Sequence, residues 1–206
     1  MNSFAVPNQY NQDHNAEGSP SLITRLLSNP MRIALWDEQS LTWEYPYGEE
    51  MKFDHSGLFS VKAMNSTKEH EIIRFQLSNE SALKKKVKIM VQYHNIFEKG
   101  STAFYSPQEK AIICFYEKHV TMLGGQLQGK GMSQYCIHDV NAYSENNWTE
   151  CLQTGCLPLS WLAKGEICST FILEAELAKG EKQEGIIWSF HSESEGIVRK
   201  LKNEMI

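Results

Sequence analysis

From Met31 onward the chain runs in short segments where apolar and polar residues alternate with a period of two, bounded by polar or glycine turns. This pattern is the strongest constraint on the fold. Successive side chains leave a strand on opposite faces, so a period of two describes sheets with a buried side. The segments include MRIALWD, LTWEYP, EMKFDH, LFSVKAM, EIIRFQLSN and VKIMVQYHN, rich in β-branched and aromatic residues. In VKIMVQYHN, Val87, Ile89, Val91 and Tyr93 share one face, and Lys88, Met90, Gln92 and His94 the other. One side is expected to be buried and the other solvated. TAFYSPQEKAIICFYEKHVTML reads as a hairpin, and Gly124-Gly125 is expected to break the chain before MSQYCIHDV. LPLSWLAKGE, CSTFILEAEL and EGIIWSFHSES continue the pattern. About a dozen short strands with few helices predict an all-β fold, a large antiparallel β-sandwich with short peripheral helices.

Two helices are expected at its margins. Ser19 can cap the first, Pro20 suits its first position, and Leu22, Ile23, Leu26 and Leu27 form an apolar stripe before Asn29-Pro30 stops it. That stripe either packs on the chain's own sheet or docks a protein partner. The second is SEGIVRKLKNEM, with Ile197 and Leu201 at helical spacing. Residues 1–18, rich in Asn, Gln, Ser and Pro, read as a flexible tail. Residues 19–206 read as one β-sandwich domain, since no Pro/Gly/Ser-rich linker divides them.

Composition narrows the function classes. A net charge of −5 over 206 residues argues against a nucleic-acid binder, which carries a basic face. No apolar run approaches the ~20 residues that span a bilayer. The N-terminus has no basic region followed by an apolar one, so a cytoplasmic protein is expected. The cysteines, Cys114, Cys136, Cys151, Cys156 and Cys168, are then expected to be reduced. Cys114 and Cys168 sit in apolar runs as small hydrophobes, while Cys151 and Cys156 flank a turn and are the pair expected to oxidise on storage. The sequons at Asn65, Asn79 and Asn147 are read as polar turn residues.

Catalytic motifs are weak. Cys136 and His138 leave one strand face, and His94, His119 and His191 could approach, but no matched pair of ligand pairs occurs; no metal and no cofactor is expected. There is no G-x-S-x-G elbow. Gly124, Gly125, Gly129 and Gly131 precede a strand pattern rather than a helix, so they shape a turn and not a phosphate loop. The run Lys84-Lys85-Lys86 reads as a solvated linker that could touch an anion. Sugar chemistry has more support. Asp37, Glu38, Glu44 and Asp54 lie among Trp36, Trp43, Tyr45 and Tyr47, and aromatic faces stack on sugar rings while carboxylates bind hydroxyls. The competing explanation is ordinary aromatic packing within a sandwich.

The order of elements carries a resemblance. RFQLSNESALKKKVKIMVQYHN places a strand, a polar linker and a Val-x-Ile-x-Val strand in succession. A loop with Trp148 follows, then Gly155-Cys156-Leu157, Leu-x-x-Trp-Leu-x-x-Gly-Glu at 159–166, FILEAEL, GIIWSF and a closing helix. This resembles the N-terminal β-supersandwich domain of glycoside hydrolases and phosphorylases that carry an (α/α)6 toroid. The toroid supplies that family's catalytic carboxylates and has no counterpart in these 206 residues. The resemblance therefore implies a non-catalytic relative, with no catalytic residue carried over.

The chain is accordingly expected to be a non-catalytic binding module. Its ligand is either a carbohydrate, held by Trp36, Trp43, Tyr45 and Trp148, or a protein partner, held by a sandwich face or by Leu22, Ile23, Leu26 and Leu27. The alternative is a carbohydrate-active enzyme using two of Asp37, Glu44 and Asp54 as acid and base.

Overall fold

The structure, a computed structural model, describes residues 31–36, 41–44, 57–95, 100–140 and 154–206. Among them are twelve strands: β1 (Met31–Trp36), β2 (Leu41–Glu44), β3 (Phe59–Ser66), β4 (His70–Ser78), β5 (Lys85–Asn95), β6 (Ser101–Ser106), β7 (Ala111–Tyr116), β8 (His119–Leu127), β9 (Gln134–Asp139), β10 (Leu162–Gly165), β11 (Ile167–Leu177) and β12 (Lys182–Ser192). A helix, α1 (Glu195–Met205), follows β12. The strands form two antiparallel sheets, β2-β1-β5-β11-β9 and β10-β6-β7-β8-β12-β4-β3. This is the all-β sandwich expected from the period of two.

The inner faces of the sheets make the main core. Ile33, Leu35, Val87, Ile89, Val91, Phe171 and Leu173 from the smaller sheet meet Ile73, Phe75, Leu77, Ile112, Leu123 and Ile187 from the larger. Phe59 stacks on Phe75 with ring centroids 5.1 Å apart. A second cluster lies on the outer face of the larger sheet. There Ile113, Met122, Ile186, Trp188 and Phe190 are covered by α1 through Val198, Leu201 and Met205. Helix α1 falls where the sequence places it, but its buried stripe starts at Val198, and Ile197 points outward at 51% exposure. Arg199 and Lys202 anchor it to Glu109 at 3.0 and 3.1 Å.

Three local expectations are corrected. Gly124 and Gly125 do not break the chain; they lie inside β8. A Cβ on Gly124 would sit 2.5 Å from the Trp188 ring, and one on Gly125 3.0 Å from Leu173. These glycines make room for side chains on both faces of the sheet rather than for a turn. Strand β5 starts at Lys85, so the lysine run is not a free linker; Lys86 shares the outer face of the sheet with Lys88. The outer face of β5 is also not solvated throughout, because Met90 and Gln92 are buried there. Met90 packs with Ala34 and Ile172, and Leu157 lies against that group. Gln92 is satisfied by its neighbours: its Oε1 accepts from Arg32 Nε, and its Nε2 donates to Thr170 Oγ1 at 3.2 Å.

The segments containing Leu22, Ile23, Leu26, Leu27, Cys151, the 1–18 tail and EMKFDH lie outside the described residues.

Candidate functional site

The antiparallel register writes the outer face of the five-stranded sheet as rows. Trp36, Lys88 and Glu174 form one row across β1, β5 and β11, because Trp36 pairs with Lys88 and Lys88 with Glu174. Lys86 and Glu176 form the next, toward the end of the sheet. In the opposite direction come Ala34, Met90, Ile172 and Gln134, then Arg32, Gln92, Thr170 and Cys136, then His94, Cys168 and His138.

The first two rows line an open cleft of about 680 Å³. Trp36 forms part of its wall, with Lys86, Lys88, Lys130, Ser133, Glu174 and Glu176 among the polar side chains around it. The indole is fixed in place. Gly155, with a φ of +61°, lies so close that a Cβ there would stand 2.8 Å from Trp36 Cε2. Lys88 Nζ sits 5.0 Å from the ring centroid and donates to the Gly155 carbonyl at 2.6 Å. The same ammonium is 3.6 Å from Glu174 Oε1, which also accepts from Gln134 Nε2 at 2.8 Å. The Lys84 ammonium forms an ion pair with Glu176. Lys84, first by its hydrogen bond and then by its charge, holds the Glu176 carboxyl below the usual carboxylate range, with Lys86 and Lys130 adding at longer range.

The last rows are a buried polar cluster. His94 Nε2 lies 2.8 Å from Gln92 Oε1 and 3.8 Å from Cys168 Sγ, and Cys136 Sγ lies 3.7 Å from His138 Nδ1. Burial, then the charges of Arg32 and His138, lowers the His94 pKa to about 4. Burial also pushes the Cys168 thiol up to about 12. Despite these soft donors, no group of three or more His, Cys, Asp or Glu is placed to hold a metal among the described residues.

Of the four aromatic residues singled out for a ligand, Trp36 lies in the cleft. Trp43 pairs through its backbone with Ala34, while its side chain, Tyr45 and Trp148 lie outside the described residues. So do Asp37, Asp54 and the side chain of Glu44. The sequence reading missed Lys88, Lys130, Glu174 and Glu176. The available signal was LEAEL, where carboxylates two apart must share a strand face. A second exposed feature runs along the edge of the larger sheet. There Leu159, Trp161 and Leu162 are 77%, 61% and 43% exposed, beside Tyr105 stacked on Tyr135 at 4.1 Å.

No family model matches the chain. No curated protein matches it either. Solved structures do match. One is a bacterial glucoamylase complexed with acarbose, at 14% identity and a TM-score of 0.47, over 84% of this chain. The match spans 28% of the glucoamylase chain, so the resemblance is a partial one. No helix among the described residues is long and apolar enough to cross a membrane.

Proposed function

We propose that this chain is a β-sandwich binding module that takes an oligosaccharide in the cleft beside Trp36. The observation that carries this reading is the cleft itself: about 680 Å³ of open concave surface with a fixed indole in one wall and ammonium, carboxylate, amide and hydroxyl groups around it. A sugar ring offers an apolar C–H face for the indole, and hydroxyls that both donate and accept for the polar groups. Concave sites with a few convergent polar groups are where small ligands bind. Of the cleft carboxylates, Glu176 is poorly suited to be the proton donor of glycoside cleavage. A general acid in glycoside cleavage needs a raised pKa, whereas that of Glu176 is lowered by its lysines.

Isothermal titration calorimetry against an oligosaccharide panel tests this. The expected result is saturable heat with at least one member, lost in Trp36→Ala while the urea unfolding transition is kept, and no release of reducing ends on incubation. Absence of heat with every member, or binding unchanged in Trp36→Ala, refutes it. A protein ligand is the second reading, favoured by the exposed Leu159–Trp161–Leu162 ridge. It predicts that Trp161→Ala, not Trp36→Ala, abolishes binding.

A further inference from the structure

The lysine run and the cleft meet at one corner, and the chemistry there is unbalanced. Lys86 and Lys88 alternate with inward-facing residues and stand on the outer face of the sheet. Lys84, just before the strand, reaches Glu176 on that same face. Lys130 approaches it from the turn between β8 and β9. Among the described residues, three ammoniums, Lys86, Lys88 and Lys130, and two carboxylates, Glu174 and Glu176, line the cleft, with Lys84 beside it on Glu176. Lys88 is taken by Glu174 and the Gly155 carbonyl, and Lys84 by Glu176. Lys86 and Lys130 remain as surplus positive charge beside a carboxylate that already has its partner. This occurs in a chain whose net charge is −5, so the surplus is local and opposes the field of the whole molecule.

We propose that the sugar bound in this cleft carries an anionic group, a carboxylate or a phosphate, held by Lys86 and Lys130 while its ring lies toward Trp36. The inference rests on the oligosaccharide reading of the cleft and names the class of sugar. Neutral sugars need no excess cation. Lysine ammoniums serve as point-charge donors to carboxylate or phosphate oxygens. Each exposed charge contact of this kind is worth about two- to fivefold in affinity, so the pair contributes about tenfold. The advantage weakens with salt, since screening acts over ~10 Å at 0.1 M ionic strength.

The test uses three forms of one oligosaccharide, neutral, uronate-bearing and phosphorylated, titrated calorimetrically into the full chain at low and high salt. The variants are Lys86→Gln/Lys130→Gln and Trp36→Ala. The expected result is that at least one acidic form binds about tenfold more tightly than the neutral form at low salt. That advantage disappears in the double lysine variant, in which the acidic and neutral forms bind alike, whereas Trp36→Ala weakens all three. Whichever acidic form gains identifies the anion as carboxylate or phosphate. Equal binding of all three forms, or an acidic advantage that survives in the lysine variant, overturns the anionic inference and leaves the cleft reading standing. Failure of every form to bind overturns the cleft reading and this inference with it.

Discussion

Two histidines make the stability of this fold sensitive to mild acid. His94 lies in the polar cluster among Arg32, Gln92, Cys168 and His138, and its pKa is lowered from 6.5 to about 4, chiefly by burial. His191 lies at the opposite sheet, stacked on Tyr93 at 6.1 Å and placed 3.1 Å from Thr121 Oγ1 and 3.2 Å from Ser189 Oγ, and burial lowers its pKa to about 4 as well. Both are bases whose folded pKa is depressed. Their neutral forms are compatible with the fold, so the full stability is present above 6.5, the unfolded value, and is lost as the pH falls from there toward 4. At about pH 5 an unfolded histidine is almost wholly protonated and each folded one about one-tenth so, a difference of about 2 kcal/mol per group. Together the pair costs about 4 kcal/mol, a large share of the roughly 5–15 kcal/mol typical of a domain. Burial also lowers the pKa of His138, which adds in the same direction. Two carboxylates with shifted pKa values act outside this window. Those of Glu176 and Glu181 lie below 4.5, so their contributions are lost only in stronger acid.

The assay is urea unfolding followed by tryptophan fluorescence at about pH 7.5 and about pH 5, on the native chain and on His94→Gln/His191→Gln. Glutamine keeps a hydrogen-bonding amide and removes the titration. The native chain is expected to lose about 4 kcal/mol between the two conditions, and the double variant about 1 kcal/mol. A native chain that loses under about 1 kcal/mol, or a double variant that keeps the whole loss, refutes the reasoning.

Gly124→Ala should cost about 1–3 kcal/mol in the same urea assay, because its Cβ would meet the Trp188 ring at 2.5 Å and that ring is buried against Phe190 and α1. Asn79→Ala should cost about 2–4 kcal/mol. Its Nδ2 donates to the Leu83, Leu177 and Ala178 carbonyls at 2.8, 3.0 and 3.2 Å, and its Oδ1 accepts from Ser81. Mass spectrometry after brief thiol labelling of the native protein should find Cys156 modified and Cys114, Cys136 and Cys168 protected until urea is added, since the first is exposed and the others buried. Rapid labelling of Cys168 would contradict its burial.

The strands were legible because burial on a sheet face leaves a period of two in the chain, and β4, β5 and the second half of β11 carry it, while β7 is a continuous apolar run. What stayed hidden depended on register between distant strands. Gln92 and His94 look like solvent-facing positions, yet Gln92 finds Arg32 sixty residues away and Thr170 seventy-eight away, and these bonds allow its burial. Gly124 looks like a chain breaker until Trp188, on the neighbouring strand, needs the space of its missing side chain. The cleft belongs to the same class. Trp36 was visible as an aromatic, but its row with Lys88 and Glu174 exists only once β1, β5 and β11 are aligned. That alignment is not free to vary. A slip of one residue would turn Val87, Ile89 and Val91 out of the core and drive Lys86, Lys88, Glu174 and Glu176 into it. The hydrophobic pattern that specifies the sandwich therefore also sets the charge pattern of the cleft. Ile89 and Leu173, paired on the inner face, hold Lys88 and Glu174 opposed one residue away on the outer face. Val87 and Ala175 do the same for Lys86 and Glu176, so the spacing of the charges is fixed by the pairing of the inner-face side chains.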